Sequence, residues 1–232
     1  MGVKMNNCEF YQPVTMNLNR FPDIKGDDTL FLKPSISSGV NWLNPPQMYT
    51  DLFIKEINCN HIVKNYTNSH GYPILVNSIK YYESKKYGNE LSYINHDLCI
   101  TAGGTSAIVF IFQYIFLNNK NNILLFLGLS YYMFYVCAER MNLTHYTLVS
   151  EIKGRILPSV DEMLEYIKIK KIDYIFLTLP QNPSGEIYND NEFGRLIEEL
   201  NYRNCNLIID ICQMDEFNSK NQYVNYNRIG KP

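Results

Sequence analysis

Short strand-like runs at residues 123–127, 145–149, 173–179 and 206–209 alternate with stretches of helical periodicity, and this alternation constrains the chain more than any other feature. Runs so short and so rich in Ile, Leu, Val, Phe and Thr read as buried strands. Helical patterns cover residues 105–117, 131–142, 160–170 and 189–200, the last opened by Asn189 with Glu192 three residues on, a capping-box signature. Strands joined through helices are parallel and covered on both faces. The expected class is α/β, a three-layer αβα domain with a mainly parallel sheet. A further strand is expected at 97–101, before Gly103-Gly104. Two more helices are expected at 47–58 and 73–87, the second with Leu75, Ile79 and Tyr82 on one side and Gly88 at its end. Pro13, Pro22, Pro34, Pro45 and Pro46 break up the first part, so residues 1–50 read as an extended arm and 51–232 as a partial large domain.

Composition removes several function classes. With 21 basic against 23 acidic residues, the chain offers no electrostatic footprint for nucleic acid or an anionic membrane, and small molecules or protein partners are expected. The six cysteines form no C-x-x-C pair and the four histidines no ligand spacing, so neither zinc nor a disulfide framework is expected. Cys99 and Cys212 lack an evident base and read as buried, inert thiols. The first eight residues have no apolar core for export, Asn6 stands where a myristoylation signal has Ser or Thr, and the longest apolar runs are interrupted or too short to cross a bilayer. A cytoplasmic protein is the expectation.

In parallel α/β sheets ligands collect at the carboxyl ends of strands. That rule selects Gly103, Gly104 and Thr105, then Ser130 and Tyr131, then Gln181 and Asn182, and finally residues 210–213 from Asp210 to Gln213. A glycine turn feeding a helix N-terminus offers backbone N–H groups and a positive dipole end to a phosphate. An aromatic face, an amide and a carboxylate complete a set suited to a flat, phosphorylated, nitrogen-bearing ring. Taken singly each has a plainer reading: Asn182-Pro-Ser-Gly185 is a common turn, Asp210 could cap a helix, and Tyr131, Tyr132, Phe134 and Tyr135 could be core packing. Their order, each at a strand end, favours a site.

The stretch from Leu177 through Asn182-Pro-Ser-Gly185 to Asp210 resembles the cofactor-binding core of the fold-type I, pyridoxal-phosphate-dependent aminotransferases, the class I/II family. The resemblance implies that Gly103, Gly104 and Thr105 cradle the cofactor phosphate. Tyr131, with Tyr132 beside it as the alternative, would stack on the pyridine ring. Asn182 would donate to the phenolic oxygen and Asp210 would pair with the protonated ring nitrogen. Tyr66, in a segment similar to the family's Tyr-x-x-x-x-Gly-x-x-x-Leu, would reach the phosphate of a neighbouring subunit and so implies a homodimer. Gly39 lies where the family offers a glycine near the substrate carboxylate.

Departures from the family pattern matter equally. Gln213 stands where the family usually has a tyrosine; glutamine can donate to the phenolic oxygen but cannot ionise. The Schiff-base lysine and the arginine that grips the substrate carboxylate are not matched, since Lys220 and Lys231 lack the family's setting and read as surface residues. No catalytic residue is therefore assigned in this chain. Family topology would insert two further strands between those at 97–101 and 206–209, leaving a gap that this chain should not close alone. A complementing second chain, or a truncated homologue, is the expectation. The resemblance implies amino-group transfer between an amino acid and a 2-keto acid; the alternative is an inactive module that binds cofactor or a partner.

Overall fold

The computed structural model describes residues 44–59, 66–87 and 97–213. The chain divides into two compact units, Met1–Asn65 and Tyr66–Pro232. In the first, the described element is helix α1 (Gln47–Cys59), which follows Pro45 and Pro46, where proline's fixed φ suits a helix entry. In the second, α2 (Pro73–Tyr87) and α3 (Gly104–Asn118) precede β1 (Ile123–Leu127), α4 (Tyr132–Arg140), β2 (Thr144–Leu148), α5 (Val160–Ile169), β3 (Tyr174–Thr178), α6 (Asp190–Tyr202) and β4 (Asn206–Asp210).

The four strands pair in parallel, in the order β2-β1-β3-β4. Because successive side chains on a strand point to opposite faces, β1 and β3 each feed two cores. Leu125, Leu127, Ile175, Leu177 and Leu179 pack with Met163 and Leu164 of α5 and with Phe193 and Leu196 of α6. Leu124, Phe126 and Phe176 pack on the other face with Phe112 and Ile115 of α3 and Phe134 of α4. The α/β reading of the sequence thus holds, with a helical layer on each face.

Phe176 centres the second core, its ring 4.9 Å from that of Phe112, 5.2 Å from Phe134 and 5.3 Å from Phe126. At their amino ends the strands are tied by Asp173. Its carboxylate accepts from the Ile123 amide at 2.8 Å, its own amide donates to the Ile123 carbonyl, and its carbonyl accepts from Asn206. On the opposite side of the sheet α5 and α6 open with full capping boxes, Ser159 with Glu162 and Asn189 with Glu192. Each satisfies two helix-end donors and is worth roughly 1 kcal/mol.

The strand expected at 97–101 is not one. These residues join no ladder, and the Ile100 amide donates to the His70 carbonyl instead. No described strand lies alongside them, so the backbone has no ladder to enter. The four strands that do form pair without interruption, and β4 pairs with β3 alone among the described strands. The cysteine expectation is also corrected: Cys99 and Cys212 are exposed, because the first sits in this unpaired segment and the second past the end of β4. Gly88 lies outside the described residues.

Truncating Phe176 to Ala removes the ring on which three others converge and should cost about 3–5 kcal/mol. Urea unfolding of the full chain measures this. Asp173→Ala should cost about 1.5–3 kcal/mol and Asp173→Asn, which keeps an acceptor for Ile123, clearly less.

Candidate functional site

The register brings the strand tips level. Thr178 pairs with Asp210 across β3 and β4, and two residues beyond the Phe126–Phe176 pair Gly128 reaches the same height on β1. Thr178 shares its face with Phe176, and Asp210 with Ile208, both part of the core beneath α3 and α4. The two side chains therefore stand on the face that carries the start of α3 and Tyr131.

Helix α3 begins at Gly104 after Gly103, whose φ of +81° suits glycine. Thr101 Oγ1 and Ser106 Oγ donate to the carbonyls of Gly103 and Ala102, fixing the bend. Among the described residues the Gly104 and Thr105 amides have no acceptor, and a Cβ built on either glycine would meet nothing within 4 Å. The bend thus presents free N–H groups at the positive end of a fifteen-residue helix.

Tyr131 caps α4. Thr105 and Tyr132 lie within side-chain hydrogen-bonding reach of its hydroxyl, and Cys212, two residues past Asp210, is close enough to act on it electrostatically. Burial chiefly, and then Tyr132, push the Tyr131 hydroxyl above the usual tyrosine range, with Thr105 acting the other way. The ring meets Tyr132 edge-on at 4.7 Å and Phe134 at 88°. The α3 bend and the loop after β1 therefore meet at Tyr131.

Residues 181–186 form a closed turn, with the Gln181 amide donating to the Glu186 carbonyl and Gly185, at φ +74°, donating back to Gln181. Asn182 is half-buried, and among the described residues its side-chain amide has no partner. Asp210 accepts from the Cys212 amide at 3.0 Å while its own carbonyl accepts from Leu179. Thr178 Oγ1 and Gln181 Oε1 are buried with no hydrogen-bond partner among the described residues.

Glu186 anchors this turn, and nothing in the sequence periodicity marks it. Its carboxylate accepts from the amides of Ile156 and Leu157, both at 2.9 Å, and from Ser184 Oγ at 2.6 Å, with Arg155 Nε 3.9 Å away. Burial opposes ionisation, but Ser184, the two amides and Arg155 outweigh it and hold the carboxyl below the usual range. Of the other expected residues, Tyr66 is fully exposed and Gln213 is exposed in the turn after β4. Gly39, Lys220 and Lys231 lie outside the described residues.

A model of the family described as aminotransferase class I and II matches residues 39–214. The chain belongs to that family. Comparison with the curated proteins finds none that matches. Among solved structures, the fold is similar to aminotransferase AspB from Helicobacter pylori, at 14% identity and a TM-score of 0.66 over 80% of this chain and 47% of that one. An alanine aminotransferase from Pyrococcus furiosus aligns at 21% identity and TM-score 0.64 over 82% of this chain and 46% of that one. A PLP-bound C-S lyase from Staphylococcus hominis aligns at 16% and 0.57, over 79% and 45%. The chain spans a little under half the length of these structures.

Pyridoxal phosphate is the cofactor to which the family and the PLP-bound lyase point. The residues present fit it: free amides at an uncrowded glycine bend suit the phosphate, and the tyrosine, amide and carboxylate suit the ring. Among the described residues no group of His, Cys, Asp and Glu is placed to hold a metal ion, and no helix is long and apolar enough to cross a membrane.

Replacing Glu186 by Gln should lower stability by about 1–2 kcal/mol at neutral pH by removing charge-assisted bonds. Since folding depresses its pKa, the wild-type advantage is present above the unfolded value of about 4.3 and is lost as pH falls through the lower folded one. Unfolding curves of the two proteins should therefore differ at neutral pH and converge only once pH has fallen below the folded value.

Proposed function

We propose that the strand tips of this chain hold pyridoxal phosphate and serve amino-group transfer between an amino acid and a 2-keto acid. The observation that carries this reading is that the uncrowded glycine bend before α3, Tyr131 and Asp210 stand on one face of the sheet at the level strand tips.

In this reading the Gly104 and Thr105 amides, with Gly103 shaping the bend, bind the phosphate, and the α3 dipole favours its charge. Tyr131 orients the ring by lying against it, and Asn182 donates to the phenolic oxygen. Asp210 holds a proton at the ring nitrogen, and the amide of Cys212 orients its carboxylate. Bound there, the cofactor supplies an electron sink for the bonds at the substrate Cα. Gln213, where a tyrosine is usual, donates without ionising, so the phenolic oxygen is held by neutral donors. Tyr66, fully exposed, is free to offer its hydroxyl to a second copy in a homodimer.

Amino-group transfer also needs a lysine and a carboxylate-binding arginine. No lysine lies in the described segments that follow β3 and β4, residues 179–189 and 211–213. We assign both groups to polypeptide outside the described residues that completes the sheet beside β4. The described residues then supply the cofactor-binding part of the site.

Titrating the full chain with pyridoxal phosphate, followed by absorbance and equilibrium dialysis, tests the reading. Saturable binding is expected, weakened at least about tenfold in Asp210→Ala, the loss of one charge-assisted bond of about 1.5–3 kcal/mol. Equal affinity in wild type and variant would remove Asp210 from the site. Exchange of the substrate Cα proton by residues 1–232 should need co-expression with a polypeptide carrying the lysine and arginine; exchange without it would rule out that assignment.

A further inference from the structure

Gln181 is almost wholly buried, at 1% exposure, at the junction between the loop after β1 and the turn after β3. Its Nε2 donates to the Leu129 carbonyl at 3.0 Å and to the Asn182 carbonyl at 3.1 Å. Two carbonyl acceptors settle which end of the amide is nitrogen, because an oxygen there would face two lone-pair donors. The remaining oxygen, Oε1, is buried without a partner among the described residues. Across from it stands Gly128, at φ +69°, where a Cβ would come within 2.7 Å of Gln181 Cδ and 2.8 Å of Nε2 and Oε1. The glycine is the space into which the amide fits.

Stability does not account for this arrangement. An unpartnered buried amide oxygen is unfavourable by about 1–3 kcal/mol, and a thioether side chain of similar volume would carry no such penalty. What the amide provides is a cross-link: Leu129 lies two residues before Tyr131, and Asn182 follows Gln181 directly.

We propose that Gln181, seated against Gly128, is a positioning residue that fixes the loop bearing Tyr131 relative to Asn182, the two residues assigned to the ring's face and its phenolic oxygen in the cofactor reading on which this inference rests. Gln181 acts through these neighbours and touches no reacting atom.

The test uses the full chain with pyridoxal phosphate as probe and three variants. Gln181→Met keeps the volume and removes both donors. It should melt at or above the wild-type temperature, bind pyridoxal phosphate at least tenfold more weakly, and change the sign or size of the induced circular dichroism of the bound ring. Hydrogen exchange should quicken in residues 128–132 and 181–186 and nowhere else. In Gln181→Glu a protonated carboxyl can restore one of the two bonds, so its affinity relative to wild type should recover as pH falls. Gly128→Ala should reproduce the Gln181→Met binding loss from the other side of the contact. Wild-type affinity and dichroism in Gln181→Met would overturn the proposal, as would unchanged exchange in both loops. Should Gln181→Met fail to fold, a Gln181→Glu affinity that tracks wild type at every pH would overturn it. Absence of binding by wild type would instead defeat the cofactor reading, and the exchange comparison would still decide whether Gln181 couples the two loops.

Discussion

The parallel register of β1, β3 and β4 is the constraint from which the site follows. A slip of one residue in β4 would turn Asp210 from the α3–α4 face to the α5–α6 face and put Ile209 in its place, since side chains alternate along a strand. Asp173 opposes such a slip by bonding to both neighbours at their amino ends, to Ile123 through amide and carboxylate and to Asn206 through its carbonyl. The interior pairs Leu125 with Ile175 and Phe176 with Ile208 lock the same alignment through packing. Residues about 80 positions apart in sequence, Gly128 and Asp210, come level because of contacts made at the far end of the strands.

The tip residues are held by bonds of a different kind. Only the glycine bend before α3 is shaped mainly by its own local backbone. The turn at 181–186 depends on Glu186, whose carboxylate gathers amides from a loop thirty residues earlier, and on Gln181, which reaches back to Leu129. These polar clamps lie largely out of water, where a hydrogen bond is strong and a missing partner costly. They give the rigidity that a ring-binding cleft needs from loops.

Much of this was legible in the sequence. The strands at 123–127, 173–179 and 206–209 and the helix beginning after Asn189 were readable because period, length and capping agree. The Ser159–Glu162 capping box carries the same signature and was passed over. The segment at 97–101 was misread because an apolar pentapeptide before two glycines has the local marks of a strand, while strand formation depends on a neighbour that no local pattern reveals. Cys99 and Cys212 were misjudged for the same reason. The glycine bend, Tyr131, Asn182 and Asp210 could be selected as candidates because the strand-tip rule needs only element boundaries. Glu186 and the Gly128–Gln181 contact were not, since each joins residues 29 to 53 positions apart through single side chains with no periodic trace.

The outer face of α3 has its own consequence. Phe110, Tyr114 and Leu117 recur along one stripe of the helix and are 58%, 63% and 81% exposed, and β4 pairs with β3 alone among the described strands. An open strand edge and a greasy helical stripe on one molecule are the two surfaces by which proteins stick to their own kind. A formal charge of −2 and an isoelectric point near 6.1 supply little mutual repulsion to prevent it. Solubility of the isolated polypeptide should therefore be poorest in mildly acidic buffer, and recovery from a cell extract should depend on how soon these surfaces are covered.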